Sequence, residues 1–234
     1  MDLGNVVGKY RNHLLTIGLL ILSVVLWGLN LYKVTTFTDL ELWGFITGLW
    51  SIWLAVLNRP SNWAIGLVNE GIFFVMFWQI GLYANALLQI FFAAVSVWGW
   101  LYWLWGGSKK TEAPVRYAGF LESLRSVFMV PAIALILIII IDHFTGTYSI
   151  PDNITTAISI MATYLLARRY VENWIFWIVA DFIYIALFIS QGLFLWAALY
   201  VIFVLMCAKG IIDWRRIFKT PKNQEEIAML KDAE

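Results

Sequence analysis

The chain is short of nearly everything that enzymes use for chemistry. It has one cysteine, Cys207, so no intramolecular disulfide can form. Set in an apolar run, that thiol reads as a small buried hydrophobe and not as a reactive group. Two histidines, His13 and His143, are not spaced as a metal pair. His143 follows Asp142 at an expected helix end, and both histidines read as interfacial polar residues. No H-E-x-x-H, C-x-x-C, G-x-S-x-G or phosphate-loop pattern occurs. No catalytic group, metal or cofactor is therefore expected. Charge is scarce too: 13% of residues are charged and the net charge is +1. Soluble domains carry about 25% charged residues, so water is not the main solvent, and a near-neutral chain is a poor partner for nucleic acid.

What is abundant is apolar: 62% of 234 residues. The first long run, 14–31, resembles the core of a signal peptide. No small-x-small cleavage site follows it, however, and its 18 residues fall within the roughly 17–25 that span a bilayer. Seven further runs lie at about 41–57, 63–80, 85–105, 127–144, 153–167, 174–190 and 194–212. With the N-terminus in the cytoplasm, the segments on that side, together with Lys209 in an expected last helical turn, hold 15 of the 16 Lys and Arg residues. Only Lys33 falls outside, as the positive-inside bias predicts for eight spans with both termini cytoplasmic. After Ile212 the chain is charged; Thr220-Pro221 predicts a short helix over 221–231, with the hydroxyl as cap and proline at the first position.

The chain repeats itself. Residues 62–103 align with 173–214 without a gap, an offset of 111 residues. Asn62-Trp63 meets Asn173-Trp174, Glu70 meets Asp181, Phe73 meets Tyr184, Gly81 meets Gly192, Gly99 meets Gly210 and Trp103 meets Trp214. The preceding runs extend the match to three helices per unit. An odd unit repeated directly comes out inverted, and the run at 127–144 turns the second copy back. The fold class is thus an all-α polytopic membrane protein of eight transmembrane helices, a parallel 3-1-3 duplicated core plus an extra N-terminal helix. Its expected parts are that helix (1–34), a first repeat (40–105), a charged cytoplasmic linker and connecting helix (106–145), a second repeat (152–213) and a cytoplasmic tail (214–234).

Polar residues inside such runs are costly, about 2.5–3.5 kcal/mol for a central charge on insertion scales. Asn173, Trp177, Asp181, Tyr184 and Phe188 share one helical stripe, matched by Asn62, Gly66, Glu70, Phe73 and Phe77. Glu70 and Asp181 lie near the centres of their helices and are expected at one depth, facing each other between the repeats. Either each is hydrogen-bonded within the bundle, or the two line a cavity for a cation or a polyhydroxylated solute. Asn69 and Gln89 are further amides that need partners, and Tyr200 is the repeat mate of Gln89. Trp50, Trp53, Phe73, Trp177 and Tyr184 lie deep enough to stack on a planar solute. Trp63, Trp103, Trp105, Trp174 and Trp214 at one end, and Trp78, Tyr83 and Trp196 at the other, read as interfacial belts.

The runs N-W-A-I-G-L-V-N-E-G, G-L-Y-A-N-A-L-L-Q and W-G-W-L-Y-W, with N-W-I-F-W-I-V-A-D-F-I-Y in the second half, resemble the PnuC family of bacterial vitamin transporters over about residues 40–214. Asn85 stands where that family often has aspartate, at an outer helix start. The resemblance implies a SWEET-like core, a homotrimer in the lipid of the bacterial inner membrane, and facilitated diffusion of nicotinamide riboside, trapped inside by phosphorylation. Carried over, it implies that Asn173, Trp177, Asp181 and Tyr184 line the pocket, with Glu70 and Gln89 from the first half. Related members carry thiamine or riboflavin. A non-transporting receptor or subunit, docking through the linker and tail, is the reading from another class.

Overall fold

A computed structural model describes residues 3–35, 37–145, 150–192 and 194–232. The described residues are helical apart from short connections. Among these residues nine α-helices follow one another: α1 (Leu3–Leu31), α2 (Asp39–Val56), α3 (Ser61–Gln79), α4 (Tyr83–Trp105), α5 (Phe120–Thr145), α6 (Ile150–Ala167), α7 (Asn173–Ser190), α8 (Phe194–Phe218) and α9 (Pro221–Lys231). All eight apolar runs are helices. Three outgrow their runs because helical residues continue past the apolar stretch: α1 starts at Leu3, α5 at Phe120, and α8 ends at Phe218. Lys209 is consequently well inside α8, not in its last turn, where it pairs with Asp213 one turn on. The side chain of His143 lies outside the described residues, as do residues 146–149 between the expected connecting helix and second repeat.

The chain divides into two compact units between Ile46 and Thr47. In the first, a capping box starts α2: the Thr38 hydroxyl accepts from the Glu41 amide at 3.2 Å, and the Glu41 carboxylate accepts from the Thr38 amide at 2.7 Å. Asn30 on α1 donates to Asp39 at 3.2 Å and accepts from Thr35 at 2.7 Å, tying the two helix ends together.

In the second unit α3 packs on α4, α7 on both α6 and α8, and α4 and α5 on α6. The 111-residue offset carries α2 onto α6 residue for residue, and α3 and α4 onto α7 and α8 to within two residues. Connections match as well. Gly81 and Gly192 end α3 and α7 in the left-handed conformation, φ 77° and 73°. Asn58 and Arg169 make the same left-handed turn, φ 54° and 57°, and their amides bond the carbonyls of Ala55 and Leu166, each at 2.9 Å.

Four indoles lock the two triplets together. The Trp103 indole donates to the Leu166 carbonyl, and its mate Trp214 donates to the Ala55 carbonyl, both at 3.0 Å. Ala55 and Leu166 are themselves mates, so the bonds are crossed copies of one contact. Trp63 meets Trp103 edge-on at 5.5 Å and 87°; Trp174 meets Trp214 at 5.4 Å and 87°. Trp103 and Trp214 touch at 5.6 Å. These four rings are at most 3% exposed. The belt reading is wrong for them: their indoles fill the core between repeats, while Trp105 and Trp78, at 57% and 52%, remain exposed. Trp53, read as free to stack on a solute, is 1% exposed with the Lys209 ammonium 5.5 Å from its ring centroid.

The indoles fit because Gly99 and Gly210 leave room. A Cβ at Gly210 would stand 2.5 Å from Trp174, and one at Gly99 would stand 2.7 Å from Trp63. Overpacking of this kind costs about 1–3 kcal/mol. Gly99→Ala and Gly210→Ala should each lower the thermal midpoint in detergent by about 2–10 °C, whereas Gly71→Ala, with nothing within 4 Å, should leave it unchanged.

Glu172, just before α7, accepts from the Ala118 amide at 2.9 Å. Burial holds its carboxyl above the usual range despite that bond. A raised carboxyl favours the fold while protonated, and that contribution is lost as pH rises through the folded pKa. Glu172→Gln keeps the acceptor without the charge. It should raise the midpoint by about 2 °C at pH 7.5 and lose that advantage near pH 4, as thermal scans at the two pH values would reveal.

Candidate functional site

Each stripe acid is held by the third helix of its own triplet. On α3, Glu70 Oε1 accepts from the Ser96 hydroxyl of α4 at 2.6 Å, while Oε2 is buried without a partner. On α7, Asp181 is 5% exposed, with the Cys207 thiol of α8 3.8 Å from its Oδ2. Ser96 and Cys207 are repeat mates, so the same contact occurs twice, with a hydroxyl in one copy and a thiol in the other. Sequence reasoning took Cys207 for inert packing and passed over Ser96. The offset that pairs Glu70 with Asp181 also pairs these two, and was the signal to follow. The described hydrogen bonds tie each acid to its own half, not to the other acid.

Around Glu70 the walls are small and polar. A Cβ at Gly66 would lie 3.4 Å from the Ser51 hydroxyl and 4.0 Å from both Glu70 and Ser96. Asn69 donates to the Thr47 hydroxyl at 2.9 Å, and its amide borders Gly48. Trp50 and Gln89 are half-buried, as is Phe73, which stacks on Phe77 at 5.8 Å.

Around Asp181 the walls are aromatic. Tyr184 lies 5.0 Å from Tyr200 and stacks on Phe188 at 6.2 Å; Phe188 also meets Tyr200 at 5.3 Å and Trp196 at 5.9 Å. Trp177 is half-buried one turn before Asp181. The stripe read from sequence therefore brings Tyr184, Phe188 and Tyr200 together beside the acid. Asn173 stands apart at the start of α7: it is fully buried, and its amide donates to the Tyr170 carbonyl at 2.6 Å. It secures the turn into α7, eight residues before Asp181, about 12 Å along the axis.

A cavity of about 540 Å³ lies elsewhere, between α4, α5 and α6. Its walls include Phe91, Trp98, Met129 and Tyr164, with Glu122 and Arg125 at one end, and neither paired acid borders it. The buried Glu70 Oε2, left without a hydrogen-bond partner, with the rings beside Asp181, makes the stripes the better candidate for binding a polar solute.

Among the described residues, five helices are long and apolar enough to cross a membrane: α1, α4, α5, α7 and α8. Comparison with known proteins agrees with such a role. The chain is 30% identical over 201 residues to the nicotinamide riboside transporter PnuC of Escherichia coli, an alignment covering 75% of this chain and 84% of that one. It is 26% identical over 175 residues to the riboflavin/roseoflavin transporter RibM of Streptomyces davaonensis, covering 73% and 82%. In fold it is similar to a crystal structure of the vitamin B3 transporter PnuC, with a TM-score of 0.71, 20% identity, and coverage of 88% of this chain and 92% of that one. Residues 38–216 match the nicotinamide mononucleotide transporter family. The chain is a multi-pass membrane protein and belongs to that family of transporters.

Proposed function

We propose that this protein carries nicotinamide riboside across the membrane by facilitated diffusion, as a transporter and not an enzyme. The observation that carries the reading is the repeated acid and hydrogen-bond donor inside the bundle, Glu70–Ser96 and Asp181–Cys207, in a chain with a nicotinamide riboside transporter at 30% identity. The solute has a flat cationic ring and a ribose. Trp177, Tyr184 and Tyr200, with Trp50 and Phe73, would take the ring; Glu70, Asn69, Gln89 and Asp181 would take the hydroxyls. Asn173 serves the same pocket from beneath, by fixing the start of α7.

In this reading α1 is an added span, α2–α4 and α6–α8 are parallel triplets around an axis along the membrane normal, and α5 turns the second back: a SWEET-like 3-1-3 core of eight spans. The solute sits near the midplane between triplets. Both termini are cytoplasmic in a bacterial inner membrane, and the assembly is a homotrimer in lipid. The basic residues at the loops joining α2 to α3, α4 to α5 and α6 to α7 support that orientation. The RibM relative favours one second reading, riboflavin, which is neutral and makes less use of the acids; thiamine, with a cationic ring, fits the same chemistry as nicotinamide riboside. The docking reading of linker and tail is weakened because these two segments bind each other.

Uptake of labelled nicotinamide riboside into proteoliposomes tests the proposal. Trp177→Ala should weaken apparent affinity about 2–12-fold, the value of one ring pair, and Asp181→Ala should cut uptake by at least as much. Normal uptake in both variants would remove the site assignment. Ranking nicotinamide riboside, thiamine and riboflavin by the rise each gives in thermal midpoint tests the solute itself; no rise with the first would overturn that choice.

A further inference from the structure

The two mated turns, 57–60 and 168–171, have the same backbone, but the described hydrogen bonds strap only the second. Segment 111–118 of the linker runs beside it as a single β-like rung: the Arg116 amide donates to the Arg169 carbonyl, and the Val171 amide donates to the Arg116 carbonyl, both at 2.9 Å. The Arg169 guanidinium, 2% exposed, donates to the Ala113 carbonyl and lies 4.4 Å from the centre of the Trp103 ring. Burial brings its pKa down to about 10, so the strap confines a cation away from water. Trp103, in turn, donates to the Leu166 carbonyl at the end of α6, just before that turn. The turn is gripped by the indole cluster on one side and by the linker on the other.

The linker is itself held by the tail. Val115 is 1% exposed, and its backbone pairs on both sides with Asn223 of α9: the amide donates to Oδ1 and the carbonyl accepts from Nδ2, both at 2.8 Å. A carboxamide presents a donor and an acceptor side by side, which is what a backbone edge requires. Glu226, one turn on, accepts from the Ser108 amide and from the Thr111 hydroxyl, the latter at 2.6 Å. α9 has 11 residues, too few to persist alone in water. It is a clasp whose two polar fingers hold both ends of the linker.

We infer that Asn223 is a positioning residue for transport: by clasping Val115 it holds the linker, and with it Arg169, against the indole cluster, and so keeps the α9 end of the solute path closed. This rests on the carrier reading above. It makes the second repeat's turn the braced half and leaves the first repeat's turn to move.

The lone thiol provides the readout. Cys207 is 1% exposed and lies on α8 two turns inside Trp214. Because no other cysteine exists, an impermeant maleimide labels one site. In proteoliposomes without solute, Asn223→Asp keeps the acceptor for the Val115 amide but turns a second oxygen toward its carbonyl. This variant should label at least threefold faster than the native protein from the α9 side, at an unchanged rate from the opposite side. Glu226→Gln, which keeps a neutral acceptor, should shift the rate in the same direction by less, and decides the matter where Asn223→Asp fails to fold. Equal α9-side rates in the folded variants would overturn the inference. Faster labelling from both sides would overturn it too, since that is general loosening. Labelling needs no solute, so failure of nicotinamide riboside uptake by the native protein would remove the substrate reading and leave this measurement standing.

Discussion

The structure hangs on one contact made twice. An indole at the end of each triplet's third helix reaches across to a carbonyl at the end of the other triplet's first helix. A neutral hydrogen bond adds only about 0.5–1.5 kcal/mol net, but an indole N–H stranded in an apolar core costs about 1–3 kcal/mol. The bond therefore matters less for what it adds than for what its loss would leave behind. Two glycines let the neighbouring tryptophans approach, and the four rings close the bundle at that end.

Midway along the helices the logic is reversed. The acids on α3 and α7 are anchored inside their own triplets, by a hydroxyl in one and a thiol in the other. A thiol is the weaker donor, so the two halves hold their carboxylates unequally. The walls differ as well: Gly66, with small polar neighbours, stands where the second copy has Trp177. Duplication supplies the frame, and departures from it give the chamber two unlike faces.

Much of this was legible in the residues. Apolar runs marked all eight long helices, and Thr220-Pro221 marked the ninth, although the Thr220 hydroxyl bonds back to the Ile217 carbonyl at 2.8 Å instead of capping α9. The offset of 111 found the mated acids, glycines and tryptophans. What misled was the habit of assigning terminal tryptophans to the lipid interface. That rule reads depth alone, and depth does not say whether a ring faces outward or toward a partner helix. Glycine one turn before tryptophan on the same helix, twice over, was the clue that they face inward. Asn223 was hidden for a different reason: its partner is a backbone edge 108 residues earlier, and an edge leaves no mark in sequence.

Crossing the halves also constrains how the protein is made. Trp103 emerges 63 residues before the carbonyl it needs, and Ala55 waits 159 residues for its donor. At about 5–20 residues per second, 63 residues represent about 3–13 s of synthesis. During that interval the first triplet sits at the insertion machinery with an unsatisfied indole and an unfilled seam. Biogenesis of the duplicated bundle is then a race between delivery of the second half and capture of the first by other partners.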